Sequence, residues 1–360
     1  MDPRFNLFIE KLRDARIDRR AFVVRAAAHG ASAMAIGAGL ARAGVVAAQD
    51  GSPEASPVVA TGNRRDDGRP ASRALVLGGG GALGIAWEVG LLAGFAEGGV
   101  VFTDADLIVG TSAGSVVGAH LALGMDPADA LNSVAAFGAT LDAEQVKVAS
   151  QALLDAMANA AASASPEQGL HDLGRLAVEA TTIDEEHFLG LLAQLDGKAW
   201  PRRFACTAID VETGTRQVWD AGSGVPLQRA VASSCSVPFI LPPVTIDNRR
   251  YMDGGLRSPL NADLAAGQER VVVISCFPLS LPDGVSDPTV SARVAAQGAE
   301  LNTVRDRGDA LEVIEPGEEF LAISGGGANL MDAGRVGDAH QAGVRQARVD
   351  LDRIRAVWND

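Results

Sequence analysis

Residues 74–77 (Ala-Leu-Val-Leu) form an unbroken apolar run that stops at four glycines, and the spacing of Trp87, Leu91, Leu92 and Phe95 then predicts a helix over 85–96. The pattern recurs. An apolar run at 107–109 predicts a second strand, ending in Gly110-Thr111-Ser112-Ala113-Gly114, and a second helix follows over 116–123. Residues 126–195 are Ala-rich and mostly of helical period, with breaks near 163–166 and 181–184. Further strands are predicted at 204–209, 217–219, 270–275 and 311–315, and a closing helix at 335–356. Strand, turn and helix repeated in this way predict an α/β sandwich with a mainly parallel sheet.

The pattern before residue 73 is of another kind. Residues 1–25 carry seven Lys/Arg against four Asp/Glu, a net of +3, whereas the rest of the chain carries −17. Arg19-Arg20 precede an Ala/Gly-rich apolar run over 26–48, broken by His29 and Arg42, and Val46-Ala47-Ala48 offers the small residues a signal peptidase accepts. Paired arginines before a weakly hydrophobic core resemble a twin-arginine export signal, so residues 1–48 are expected to direct export across the cytoplasmic membrane. An uncleaved anchor and a helix of a cytosolic fold are the alternatives. Ala and Gly insert poorly, and Arg42 near one end of the span argues against the anchor. Residues 49–72, rich in Pro, Gly, Ser and charge, read as a flexible linker, and the folded domain is expected over 73–346, with 347–360 the end of its last helix. There is no internal repeat.

Composition narrows the function. The 360 residues are 47% hydrophobic, enough for a large core, and 31 Lys/Arg against 45 Asp/Glu give a net charge of −14, which disfavours a nucleic-acid partner. Three scattered cysteines, Cys206, Cys235 and Cys276, suit neither a disulfide framework nor a zinc site. An acidic chain is repelled by anionic lipids, so any transient contact with a membrane surface would rest on local apolar patches. Nothing in the chain specifies an oligomeric state.

Two glycine turns and one aspartate are the candidate chemistry. Gly110-x-Ser112-x-Gly114 lies between a predicted strand and helix, where a nucleophile elbow presents its serine above the sheet edge. Gly79-x-Gly81-x-x-Gly84 exposes successive backbone N–H groups that can stabilise an oxyanion. The same glycines could cradle a dinucleotide pyrophosphate, a reading that wants an acidic residue about 20 positions on, after the second strand. Asp104 and Asp106 precede that strand instead. A serine nucleophile needs a base. His120 lies eight residues along the same helix, roughly 12 Å away at 1.5 Å per residue, and His171, His187 and His340 fall in the helical insert and the closing helix. Asp253, in Tyr251-Met252-Asp253-Gly254-Gly255, is the better candidate, because partial burial raises a carboxylate toward useful basicity. Taken singly, the elbow could be a plain turn, and Asp-Gly-Gly another.

In this order, GGGGALG, GTSAGS and YMDGG resemble the patatin-like phospholipase family. The segment 206–214, the Ala-Ser block with prolines at 232–244, and Met331-Asp332 with 335–343 extend the likeness over roughly 73–346. The resemblance implies a three-layer α/β/α fold and a Ser–Asp dyad, with Ser112 as the acyl-accepting nucleophile and Asp253 as its base. It implies an oxyanion hole from Gly79, Gly80, Gly81 and Ala113, with Gly84, Gly110, Gly114, Gly254 and Gly255 as motif glycines. The implied substrate is a lipid ester, and no cofactor or metal is expected. One departure stands out: the family usually carries Arg or Lys where this chain has Leu83, which is expected to remove a cation from the site. The competing expectation is a non-catalytic lipid- or partner-binding protein on the same fold.

Overall fold

The computed structural model describes residues 72–280, 288–307 and 310–359. The expected leader at 1–48, and the linker at 49–72 except Ser72, lie outside the described residues.

The chain opens with β1 (Arg73–Leu77), α1 (Gly81–Glu97), β2 (Leu107–Thr111) and α2 (Ala113–Ala122). A helical segment follows: α3 (Ala130–Thr140), α4 (Ala143–Ala161), α5 (Pro166–Glu179) and α6 (Glu185–Gly190). Then come β3 (Phe204–Asp210), β4 (Arg216–Trp219), α7 (Leu227–Ser234), β5 (Val244–Ile246), β6 (Arg249–Asp253) and β7 (Arg270–Ile274). The last elements are α8 (Pro288–Arg305), β8 (Ala310–Ile314), α9 (Glu318–Ser324) and α10 (Val336–Trp358). Both early helices start three or four residues before the expected points, inside the glycine runs. Glycine's poor helix propensity hides those first turns from a pattern reading.

The sheet order is β5-β6-β3-β2-β1-β7-β8, with β4 also paired to β3. The β3-β2-β1-β7-β8 portion is parallel, as expected, whereas β4, β6 and β5 add antiparallel pairings at one side. Alternate residues of the central strands feed two cores, which is why these strands read as continuous apolar runs. Leu75, Leu77, Ile108, Val272 and Ile274 join the core under α1, α2 and α10. Ala74, Val76, Val109, Val271 and Val273 join Leu301 and Val304 of α8 on the opposite face. Helices on both faces make the three-layer α/β/α arrangement. A third cluster packs α4 and α5 through Met157, Leu170 and Leu173 against Ile209, Val211 and Met252. The helix α10 runs unbroken past residue 346 to Trp358, whose indole is buried, so the fold continues through the expected boundary.

Registers set up the site. Thr111, the last residue of β2, sits opposite Thr207 of β3, and Asp253, the last of β6, sits opposite the next residue, Ala208. A parallel strand and an antiparallel strand thus end at consecutive positions of β3, which brings Ser112 and Asp253 to one edge although 141 residues separate them in sequence.

Candidate active site

Ser112 occupies the bend between β2 and α2 with φ 51 and ψ −118, a region rarely adopted by a side-chain-bearing residue. Its carbonyl accepts from the Ser115 N–H at 2.8 Å, the Ser115 hydroxyl at 2.6 Å and the Cys235 thiol at 3.2 Å. Its own N–H donates to Ser234 Oγ at 2.9 Å. These four contacts hold both peptide groups flanking Ser112 in the strained conformation. The bend also requires small neighbours: a Cβ on Gly114 would lie 2.1 Å from the Leu77 carbonyl oxygen, and one on Gly110 2.5 Å from Ser115 Cα.

Asp253 is 4% exposed. Its N–H donates to the Ser236 carbonyl at 3.0 Å, and its Oδ1 accepts the Gly255 N–H at 2.7 Å. Burial raises its carboxyl from 3.8 to about 7, against the opposing pull of the Ser112 hydroxyl and the Gly255 amide. Ser112 and Asp253 border one and the same cavity. Oδ2 nonetheless has no partner of normal hydrogen-bond geometry among the described residues, so one oxygen of the carboxyl retains its accepting capacity. A buried carboxyl near pH 7 beside a hydroxyl on a strained turn has the protonation balance of a general base.

Of the four expected oxyanion donors, Gly79 is engaged elsewhere. Its N–H bonds the Pro259 carbonyl at 2.8 Å, so it is removed from the set. The N–H groups of Gly80, Gly81 and Ala113 meet no acceptor among the described residues. Gly80 and Gly81 stand at the start of α1 and Ala113 at the start of α2, where the first turn of a helix leaves its amides unsatisfied and its dipole favours negative charge. Gly84 lies one turn into α1 and its N–H bonds the Gly80 carbonyl at 2.7 Å, while Gly254 packs against Thr207.

Leu83 is fully buried in the core, its N–H bonds the Leu330 carbonyl at 2.9 Å, and it borders neither of the cavities at Ser112. Its side chain points into the fold and brings no charge to these cavities. Among the described residues no histidine borders them either. His120 is buried in α2 with Nδ1 2.8 Å from the Val116 carbonyl, and burial lowers its pKa. Among the described residues no group of three or more His, Cys, Asp or Glu is arranged to hold a metal, and no helix is long and apolar enough to cross a membrane.

Two cavities meet at Ser112. One is walled almost entirely by hydrocarbon from α1, α2, α3 and α6, while the other, the larger, contains Asp253 and the Gly79–Gly81 turn. Sequence reasoning did not single out the supporting groups: the Ser234 hydroxyl, and the carbonyls of Ser236 and Pro259. Their sequence signal is only that Ser234 and Ser236 sit in the Ala-Ser block, and that Pro259 follows the aspartate.

A sequence model described as patatin-like phospholipase matches residues 75–266, just over half of the chain. Two curated proteins, both described as uncharacterized NTE family proteins, are similar: one from Mycobacterium tuberculosis (strain CDC 1551 / Oshkosh) is 33% identical over 201 residues, and one from Mycobacterium bovis is 34% identical over 206. Each alignment covers 56% of this chain and 29% of the relative, so the chain spans under a third of the length of the curated relatives it matches. Among solved structures, VipD from Legionella pneumophila aligns over 79% of this chain and 67% of its own at 14% identity, with a TM-score of 0.40. The full-length complex of SpcU with ExoU from Pseudomonas aeruginosa aligns over 80% of this chain and 61% of its own, at 15% identity and a TM-score of 0.32.

Proposed function

We propose that this chain, which belongs to the patatin-like phospholipase family, is a lipid acyl hydrolase. It cleaves carboxylic esters through an acyl-Ser112 intermediate, with Asp253 as base. The observation that carries the reading is the buried Asp253 carboxyl, with its Oδ2 unpartnered among the described residues, bordering the same cavity as the hydroxyl of a serine held at positive φ.

In this mechanism Ser112 Oγ attacks the ester carbonyl carbon as its proton passes to Asp253. The carbonyl oxygen becomes an oxyanion, stabilised by the N–H groups of Gly80, Gly81 and Ala113. Loss of one such donor typically raises the barrier by about 3–4 kcal/mol. The intermediate collapses by breaking the bond to the alcohol oxygen, which takes the proton from Asp253 as it leaves. Water then repeats the sequence on the acyl-enzyme: Asp253 takes its proton, the acid is released, and Ser112 Oγ recovers a hydrogen. The dyad needs no histidine, because burial alone brings the carboxyl into the working range.

The same reading includes export by the twin-arginine route directed by residues 1–48, and a linker ahead of a single folded domain. A fluorophosphonate probe should label the wild type and leave Ser112→Ala unlabelled. Equal labelling of both proteins would remove Ser112 as the nucleophile, and labelling of neither would leave the non-catalytic binding reading standing.

A further inference from the structure

Ser112, Gly81, Val237 and Met331 border both cavities, whereas Asp253 borders only the larger. That asymmetry orients the substrate. If the acyl-hydrolase reading holds, the alcohol oxygen leaves only as it receives a proton, and the donor is Asp253. The leaving oxygen therefore lies on the Asp253 side, with the alcohol half in the larger cavity. The acyl substituent on the same tetrahedral carbon points away from the leaving oxygen, toward the other cavity.

The wall of that second space suits an alkyl chain. Ile85, Val116, Val134, Phe137, Phe188 and Leu192 surround it, and none brings a charge. Ser133, one of the few polar residues at its edge, already has its hydroxyl bonded by the Gln194 amide. An ester head group placed there would leave its polar atoms without partners, a loss an alkyl chain does not incur.

We propose that the apolar cavity between α2, α3 and α6 is the acyl-chain site, and that Val134 and Phe137 on α3 set the chain length it accepts. Val134 is 3% exposed and Phe137 half-buried, so one bounds the interior of the space and the other lies nearer solvent. Each methylene that enters is worth about fourfold in kcat/KM, from the transfer free energy of a buried CH₂.

The test measures kcat/KM of the full chain on p-nitrophenyl esters from butyrate to palmitate. In the wild type, kcat/KM should climb with chain length. Val134→Phe should lower the palmitate-to-butyrate ratio of kcat/KM at least tenfold, since about two expelled methylenes suffice for that ratio. Phe137→Ala enlarges the same space and should raise the palmitate-to-butyrate ratio, which covers the case in which Val134→Phe does not fold. Leu153→Phe, in the wall of the other cavity, should leave the chain-length profile unchanged. An unchanged palmitate-to-butyrate ratio in both α3 variants, or a shift produced by Leu153→Phe instead, would overturn the assignment. Absence of turnover on every ester by the wild type would instead defeat the hydrolase reading on which the inference rests.

Discussion

Replacing Asp253 with asparagine tests the physical basis of the proposed dyad, because the burial invoked for the base role must also destabilise the fold. In the unfolded chain this carboxyl ionises near 3.8, and in the native protein near 7. Between those values the native state holds a proton that the unfolded state lacks, so stability falls as pH rises through that window and levels off above it. At 1.36 kcal/mol per pH unit, the whole interval corresponds to about 4 kcal/mol, of which about 3 kcal/mol accumulates above pH 5. The carboxamide of the Asp253→Asn variant cannot ionise, and it keeps the carbonyl that accepts the Gly255 N–H. Urea unfolding of both proteins at pH 5 and pH 8 measures the effect. The variant should gain about 3 kcal/mol more over the wild type at pH 8 than at pH 5. Glu88 and Glu300, whose carboxyls burial also raises, are present in both proteins and cancel in the comparison. In parallel, wild-type kcat/KM should rise with pH to a plateau above about 7, and the variant should lose roughly 10²–10⁴-fold, the usual worth of a positioned general base. An equal stability difference at both pH values would refute the desolvation argument. Retention of more than about a tenth of the activity would refute the base role.

Glu88→Gln addresses a second buried carboxyl, fully enclosed in α1, with Oε1 3.9 Å from the Cys276 thiol and a pKa raised well above 4.5. Its raised folded-state value makes the wild type lose stability as pH climbs above about 4.5, so the melting-temperature advantage of the Gln variant should widen from pH 5 to pH 8; a constant gap would contradict this. Gly114→Ala places a Cβ 2.1 Å from the Leu77 carbonyl oxygen, backbone against backbone, and should destabilise the fold by about 3 kcal/mol or more. A circular-dichroism melt coincident with the wild type would show that the elbow tolerates a methyl group there.

The outline of the fold was readable because its central strands are buried on both sides. Runs such as Leu75–Leu77 and Val271–Ile274 are apolar throughout, and each glycine turn marks where a parallel strand hands over to a helix. The antiparallel side was harder to read. The strand Arg249–Asp253 carries two arginines and is only partly buried, so it shows neither a continuous run nor a clean alternation, although it delivers Asp253. The helix Pro288–Arg305 was hidden for a related reason: it buries Arg293 and Gln297, polar residues that a pattern reading assigns to the surface.

By itself the sequence determined which residue types were available for chemistry, and in what local settings: a serine in a Gly-x-Ser-x-Gly bend, a glycine run after a strand, an aspartate before two glycines. Those are local properties, carried by backbone conformation and near neighbours. Tertiary structure decided the rest, because hydrogen bonding and desolvation depend on partners distant in sequence. It gave the Gly79 amide to Pro259, leaving those of Gly80, Gly81 and Ala113 without an acceptor among the described residues, and it turned Leu83 into the core. It raised the Asp253 carboxyl by removing water from around it, and it opened two unlike cavities on either side of one hydroxyl.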